Sequence, residues 1–220
     1  MIHDAETVAW KDLRELLLRR GSLRRGVVGG LIPVLVFGLG LGVQPRGAFP
    51  IVAFLPVILV SGVVADGFAG ERERHTLETL LATPASDRAL LLGKVVAYVG
   101  YGWSLCLGSI AVGALIAAAV GADYAPELVA FDCAFTLVVS VLTAALGVLV
   151  SLRAETVRAA ARTLGLLNIP LLLVAGAARA ATVDAGVVGG AVSLVVLGGL
   201  AGVLFTVAEG RFRRGRLLLD

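Results

Sequence analysis

The sequence predicts an all-α membrane protein with six transmembrane helices and almost no soluble mass. Three observations carry that expectation. The chain of 220 residues is 58% hydrophobic, with a mean hydropathy of +0.95. Its apolar runs reach the roughly 18 residues or more needed to cross a hydrocarbon core about 30 Å thick. Its bases gather in alternate joints between those runs. Glycine, at 28 residues, is scattered through the apolar runs, as expected where membrane helices pack closely.

Six spans fit, near residues 26–43, 48–66, 95–120, 127–151, 163–178 and 186–207. The first, at 1.5 Å per residue, reaches about 27 Å, just enough to cross. The fifth is shorter and holds Asn168 and Pro170, where a kink or break is expected. With a cytoplasmic N-terminus, every one of the 19 lysines and arginines except Arg46 and Arg179 falls inside. The outer joints carry Asp123, Glu127 and Asp184 instead. Such asymmetry sets orientation and calls for an even number of crossings. Both termini are then cytoplasmic in a multi-pass protein of the cell membrane. The net charge of +3 serves topology and gives no ground for a nucleic-acid partner. The charged residues 3–25 are too long for the basic region of a cleavable signal. Cys106 and Cys133, inside apolar runs and without metal spacing, read as small buried hydrophobes.

Two polar segments then face the cytoplasm. The first is the amphipathic segment 1–25. Ala5, Ala9, Leu13, Leu16 and Leu17 mark one helical face, with Trp10 beside it, while Asp12, Arg14, Glu15 and Arg19 lie mostly elsewhere. Such a helix, over Ala5–Arg20, is expected along the membrane surface. The second is the loop 67–94, the longest in the chain. "ERERHTLETLLAT" predicts a helix with Leu77, Leu80 and Leu81 as its apolar stripe and Glu71–His75 and Arg74–Glu78 as i, i+4 pairs. Thr83-Pro84 stops it. Ser86 is placed to cap the next helix, with Asp87 in its first turn and Lys94 at the water boundary. The Leu77–Leu81 helix is too short to stand alone, so its leucines need a cover. Headgroups, the ends of the spans, or a groove on a soluble partner would each provide one.

The stretch "ADGFAGERERHTLETLLATPASDRALLLGK" resembles the cytoplasmic segment after the second span in permease subunits of the type 2 ABC transporter family. The matching residues are Glu71, Arg72, Glu73, Thr76, Leu77, Glu78, Leu80, Leu81, Pro84, Gly93 and Lys94. The match is dense over about thirty residues, while the six spans and interfacial N-terminal helix extend it less specifically to the whole chain. The resemblance implies a single transmembrane permease domain over 1–220, with 67–94 as its coupling loop and residues near 71–83 as the coupling helix that sits on an ATPase. It implies ATPase contacts at Glu71, Arg72, Glu73, Thr76, Leu77, Glu78, Leu80, Leu81 and Pro84. The N-terminal helix, with Trp10, Leu13, Leu16 and Leu17, would match the family's elbow helix. Two ABC ATPase subunits and a second permease, identical or similar, are the implied partners besides the bilayer. ATP and Mg would bind the ATPase, and this chain would hold no cofactor or metal. One departure concerns the outer gate. Many family members carry a sizeable segment between spans five and six, where this chain has only about Arg179 to Ala185, unless Asn168-Ile169-Pro170 bends back.

The residues agree with a non-catalytic permease. No GxxxxGK[ST] is present, and Gly93-Lys94 is followed by Val95. His3 and His75 lie in charged segments, away from any serine at membrane depth, and there is no HExxH. The rival reading is an ATPase-independent channel, secondary transporter or scaffold, which would need ionisable groups in the membrane. Asp66 and Asp132 are the candidates, expected at a solvated helix end and near the outer headgroups. Ser104, Ser109, Ser140, Thr143, Asn168 and Ser193 are expected to bond their own helix or a neighbour. The function that the resemblance implies is the membrane subunit of an ATP-driven exporter.

Overall fold

The computed structural model describes residues 6–13, 23–43, 49–76, 86–122 and 124–211. Among these there is no strand. A short helix α1 covers 6–13. It is followed by α2 (Leu23–Val43), α3 (Phe49–Val64), the seven-residue α4 (Gly67–Glu73), α5 (Asp87–Val120) and α6 (Pro126–Ser151). Helical backbone then runs Val157–Arg211 but reverses at Gly186 (φ 59°, ψ −140°). Its two arms are α7 (Val157–Thr182) and α8 (Asp184–Arg211). Five helical stretches are long and apolar enough to cross a membrane: Ile51–Glu73, α5, α6, α7 and α8. In α2 the described apolar part, Leu31–Val43, is shorter.

Local sequence sets the helix ends. Ser86 accepts a hydrogen bond from the Ala89 N–H, 3.2 Å, and Asp87 lies in the first turn of α5, as the cap pattern predicts. Gly121 closes α5 in the left-handed conformation (φ 70°). Pro126 opens α6, where its missing N–H costs nothing. Gly186 takes a φ/ψ pair that a side chain would strain, which permits the α7–α8 reversal with almost no loop.

The expected break at Asn168-Ile169-Pro170 does not occur. Helical φ/ψ angles persist through Pro170 and fail only at Gly186. Leu171 and Ala175 bury themselves against α6 and α8 residues on one side, and that packing holds the helix across the proline.

The inner pair of helices is α3 and α6. Some 56% of the most apolar part of Ile51–Glu73, which holds most of α3, and of α6 lies buried, against 22% for α7 and α8. One cluster joins Val60, Val64 and Phe68 to Leu90, Leu91, Tyr98, Ala144 and Val148. A second joins Leu41, Val52 and Val57 to Ile110, Phe135, Val139, Leu142, Leu171 and Leu197. Helix α2 packs on α5 through Gly38 and Gly42, four residues apart. A Cβ on Gly42 would meet Ile116 Cβ at 2.5 Å and the Gly113 carbonyl at 2.9 Å, so only glycine permits this approach. The hydroxyls of Ser104, Ser109, Ser140 and Thr143 bond carbonyls of their own helices. Asn168 instead donates across to Ser61 Oγ on α3, 3.0 Å.

Candidate functional site

The charged segment between α3 and α5 forms a clasp. Asp66 precedes α4 and pairs with Arg74 at 3.0 Å. Its side chain lies over Gly70, where any Cβ would collide with the carboxylate. The first N–H groups of α4 point at α6. Phe68 N and Ala69 N both donate to Ser151 Oγ at 2.9 Å, so one hydroxyl satisfies two helix-start donors.

The Glu71-Arg72-Glu73 triplet reaches three separate elements. Glu71 Oε1 accepts from Lys94 Nζ of α5, 2.9 Å. Arg72 donates to the Ala154 and Leu152 carbonyls just past α6, 2.6 and 3.2 Å. Glu73 accepts from Val157 N, the start of α7, at 3.1 Å. Cations at a helix C-terminus and anions at a helix N-terminus suit the backbone dipoles, so both contacts follow the favourable sign. Lys94 Nζ also donates to Asp12 of α1, 3.2 Å, and lies 5.1 Å from the centre of the Phe68 ring. Seven residues of α4 thereby hold α1, α5, α6 and α7 together.

Four expectations are corrected here. Lys94 does not sit at a water boundary: its side chain is only 2% exposed. It is drawn inward because two carboxylates and an aromatic face replace its water. Asp12 does not lie on the polar outer side of the N-terminal helix but turns in to meet Lys94. The Glu71–His75 pair is replaced by Glu71–Lys94. Finally, the helix expected through 71–83 is interrupted. α4 ends at Glu73, and His75 takes φ 56°. His75 N bonds the Arg72 carbonyl and Thr76 N the Glu71 carbonyl, the paired bonds of a left-handed helix stop. The triplet's tertiary contacts outweigh continuation along the sequence's leucine stripe.

Burial pushes the Glu71 carboxyl above its ordinary value, while the Lys94 ammonium pulls it down. Thr76 is exposed. Leu77, Glu78, Leu80, Leu81 and Pro84 lie outside the described residues, as do Leu16 and Leu17. Trp10 is 68% exposed and Leu13 half-buried, with Val8 packed on the first cluster. An exposed tryptophan on such a helix suits a membrane surface. Nearby, Arg88 pairs with Glu209 of α8 over a cleft of about 280 Å³ lined by Leu91, Leu92 and Phe205.

A second polar cluster sits at the opposite end, and the sequence missed it. Asp132 and Arg179, expected near the outer headgroups and in the outer joint, are both fully buried. Arg179 Nε lies 3.0 Å from Asp132 Oδ1. Tyr124 donates to Asp132 Oδ2 at 2.8 Å, and Arg179 Nη1 to Thr182 Oγ1 at 2.7 Å. The guanidinium stands 5.4 Å from the Phe131 ring centre. Burial, with the carboxylate beside it, pushes the Tyr124 hydroxyl well above its ordinary range and keeps it a donor. The signal available was a lone acid inside span four and a lone base just past span five, Asp132 and Arg179. Among the described residues, no group of three or more His, Cys, Asp or Glu side chains converges as a metal site would require.

Long apolar helices, an inner pair wrapped by the others, and a charged clasp at one end define a multi-pass helical membrane protein. The family described as ABC-2 family transporter protein matches residues 11–189. The chain belongs to that family and is a membrane permease component of an ABC transporter. No curated protein matches it.

Proposed function

We propose that this chain is the permease of an ATP-driven exporter, worked from below by a separate ATPase through the α4 clasp. The observation that carries the reading is the reach of Glu71, Arg72 and Glu73 to three other helices. A push on a floppy loop would dissipate, whereas a push on α4 reaches α1, α5, α6 and α7 at once. The coupling segment divides its work. Glu71, Arg72 and Glu73 fasten it to the spans. Thr76, Leu77, Glu78, Leu80, Leu81 and Pro84 meet the ATPase. Trp10, Leu13, Leu16 and Leu17 lie on the membrane surface beside it.

On this reading α2 is the first of six spans, α4 faces the cytoplasm with both termini, and the bilayer is the cell membrane. Two such permeases, alike or similar, form the pathway, with two ATPases beneath. ATP and Mg bind those ATPases, and their closure drives alternating access.

The test is co-purification in mild detergent from the native membrane, with the C-terminus tagged. The expected result is one P-loop ATPase per permease chain, lost in Leu80→Asp while the permease still inserts. An oligomer free of ATPase, both in detergent and after crosslinking in intact membranes, would favour the channel, secondary-transporter or scaffold reading instead.

A further inference from the structure

The two buried ionic sites differ in how well they are satisfied. Lys94 Nζ makes hydrogen bonds to two carboxylates, and among the described residues only Glu71 Oε2 there is left without a partner. In the Asp132–Arg179 pair the charges are close, yet neither Nε nor Oδ1 forms an aligned hydrogen bond. Arg179 Nη2 is buried with no acceptor among the described residues. Nη1 alone finds a side-chain partner, on its own helix. Removing two charges from water is recovered only where geometry is good and the remaining donors are met. Here they are not, so closure at this end is weakly held.

The pair's position gives that weakness a use. It joins α6 to α7, the two helices whose opposite ends are held by Arg72 and Glu73 of α4. α8 is fastened to α7 by Ser193, which donates to the Ala178 carbonyl at 2.8 Å. It also rests on α6 where Gly190 meets Phe131. Parting the pair would therefore remove the ionic tie between α6 and the outer end of the α7–α8 hairpin, leaving apolar contacts alone to hold that end. A tie meant only to be permanent is better made from apolar side chains in this setting.

We propose that Asp132 and Arg179, with Tyr124 and Thr182 positioning them, form a latch. It closes the end of the bundle opposite α4 and parts when that end opens. This rests on the reading of the chain as an alternating-access permease, with α4 and the latch acting at the two ends of α6 and α7.

The test uses the full chain with its ATPase in native membrane vesicles, with Cys106→Ala and Cys133→Ala removing the natural thiols. Ala175→Cys supplies a reporter on α7, one turn from Arg179 and fully buried. The probe is a membrane-impermeant maleimide on the face opposite α4. Labelling should be slow in the parent and rise when ATP with vanadate is added. Arg179→Gln and Asp132→Asn should raise labelling without nucleotide at least about tenfold, the shift expected from losing one charge-assisted tie. Arg179→Lys, which keeps the cation for a variant that folds, should raise it less, because one ammonium cannot meet both Asp132 and Thr182. Unchanged labelling in inserted Arg179→Lys and Asp132→Asn chains would overturn the latch. A parent insensitive to nucleotide, with the substitutions still raising labelling, would keep the latch and count against the ATP-driven reading.

Discussion

Lys94→Met tests the clasp most directly. The Lys94 side chain is 2% exposed, and the carboxylates it holds, Asp12 and Glu71, are 10% and 14% exposed. Methionine fills much the same volume, so packing against Phe68 survives while the charge is lost. Two buried carboxylates then face each other with no cation between them. Breaking a buried pair by removing one partner costs about 3–5 kcal/mol. The loss should be local to α1 and α4, and 3 kcal/mol is about a hundredfold in an opening equilibrium. Amide hydrogen exchange on the chain in nanodiscs, read over 6–13 and 67–73, should therefore quicken by about that factor.

Asp12→Asn keeps the Lys94–Glu71 bond and should cost less, about 1–2 kcal/mol. The triple variant Lys94→Met, Glu71→Gln, Asp12→Asn removes all three buried charges and should recover most of the loss. pH supplies a further check with a definite sign. Glu71 already has a raised folded value from burial, and removing Lys94 takes away most of what lowers it, leaving only the weaker pull of Lys11. An acid raised in the fold is a cost when ionised. That cost is full above the folded value and fades as pH falls through it. The Lys94→Met defect should thus shrink on acidification from about pH 8 to about pH 5. Unchanged exchange in Lys94→Met, or a triple variant as bad as the single, would refute the argument.

Two further outcomes are expected. Ser151→Ala orphans the Phe68 and Ala69 N–H groups and should cost about 1–3 kcal/mol, seen as faster exchange confined to α4. Gly42→Leu forces α2 off α5 at Ile116 and the Gly113 carbonyl, and should lower the thermal midpoint of the detergent-solubilised chain by several degrees.

Much of this architecture can be read from the chain because membrane helices announce themselves by length and apolarity. The Ser86 cap and the spans from Phe49 onward follow from one-dimensional pattern. What cannot be read that way is which charged side chain turns inward. Asp12 and Lys94 are 82 residues apart, and each looks solvated on its own helix. Only their meeting makes burial affordable. Asp132 and Arg179 each stand out as a charge at a span end, but nothing in either neighbourhood says that they meet. The stop at His75 was hidden for a different reason. The leucine stripe does continue past it, and helical period says nothing about tertiary contacts that hold the preceding turn. At Pro170 the local rule gave the wrong answer because neighbours on α6 and α8 support the helix through it.

The Asp132–Arg179 pair also bears on how the chain is made. About 47 residues separate the two positions. At about 5–20 residues per second, the Asp132 carboxyl is synthesised some 2–10 s before its counter-ion exists. For that interval α6 carries an acid without its counter-ion, which would be costly to bury. The ion pair that ties α6 to α7 can form only once α7 has been made. An interruption of translation within that interval would leave a chain whose inner helices have been made and whose Asp132 still lacks its counter-ion.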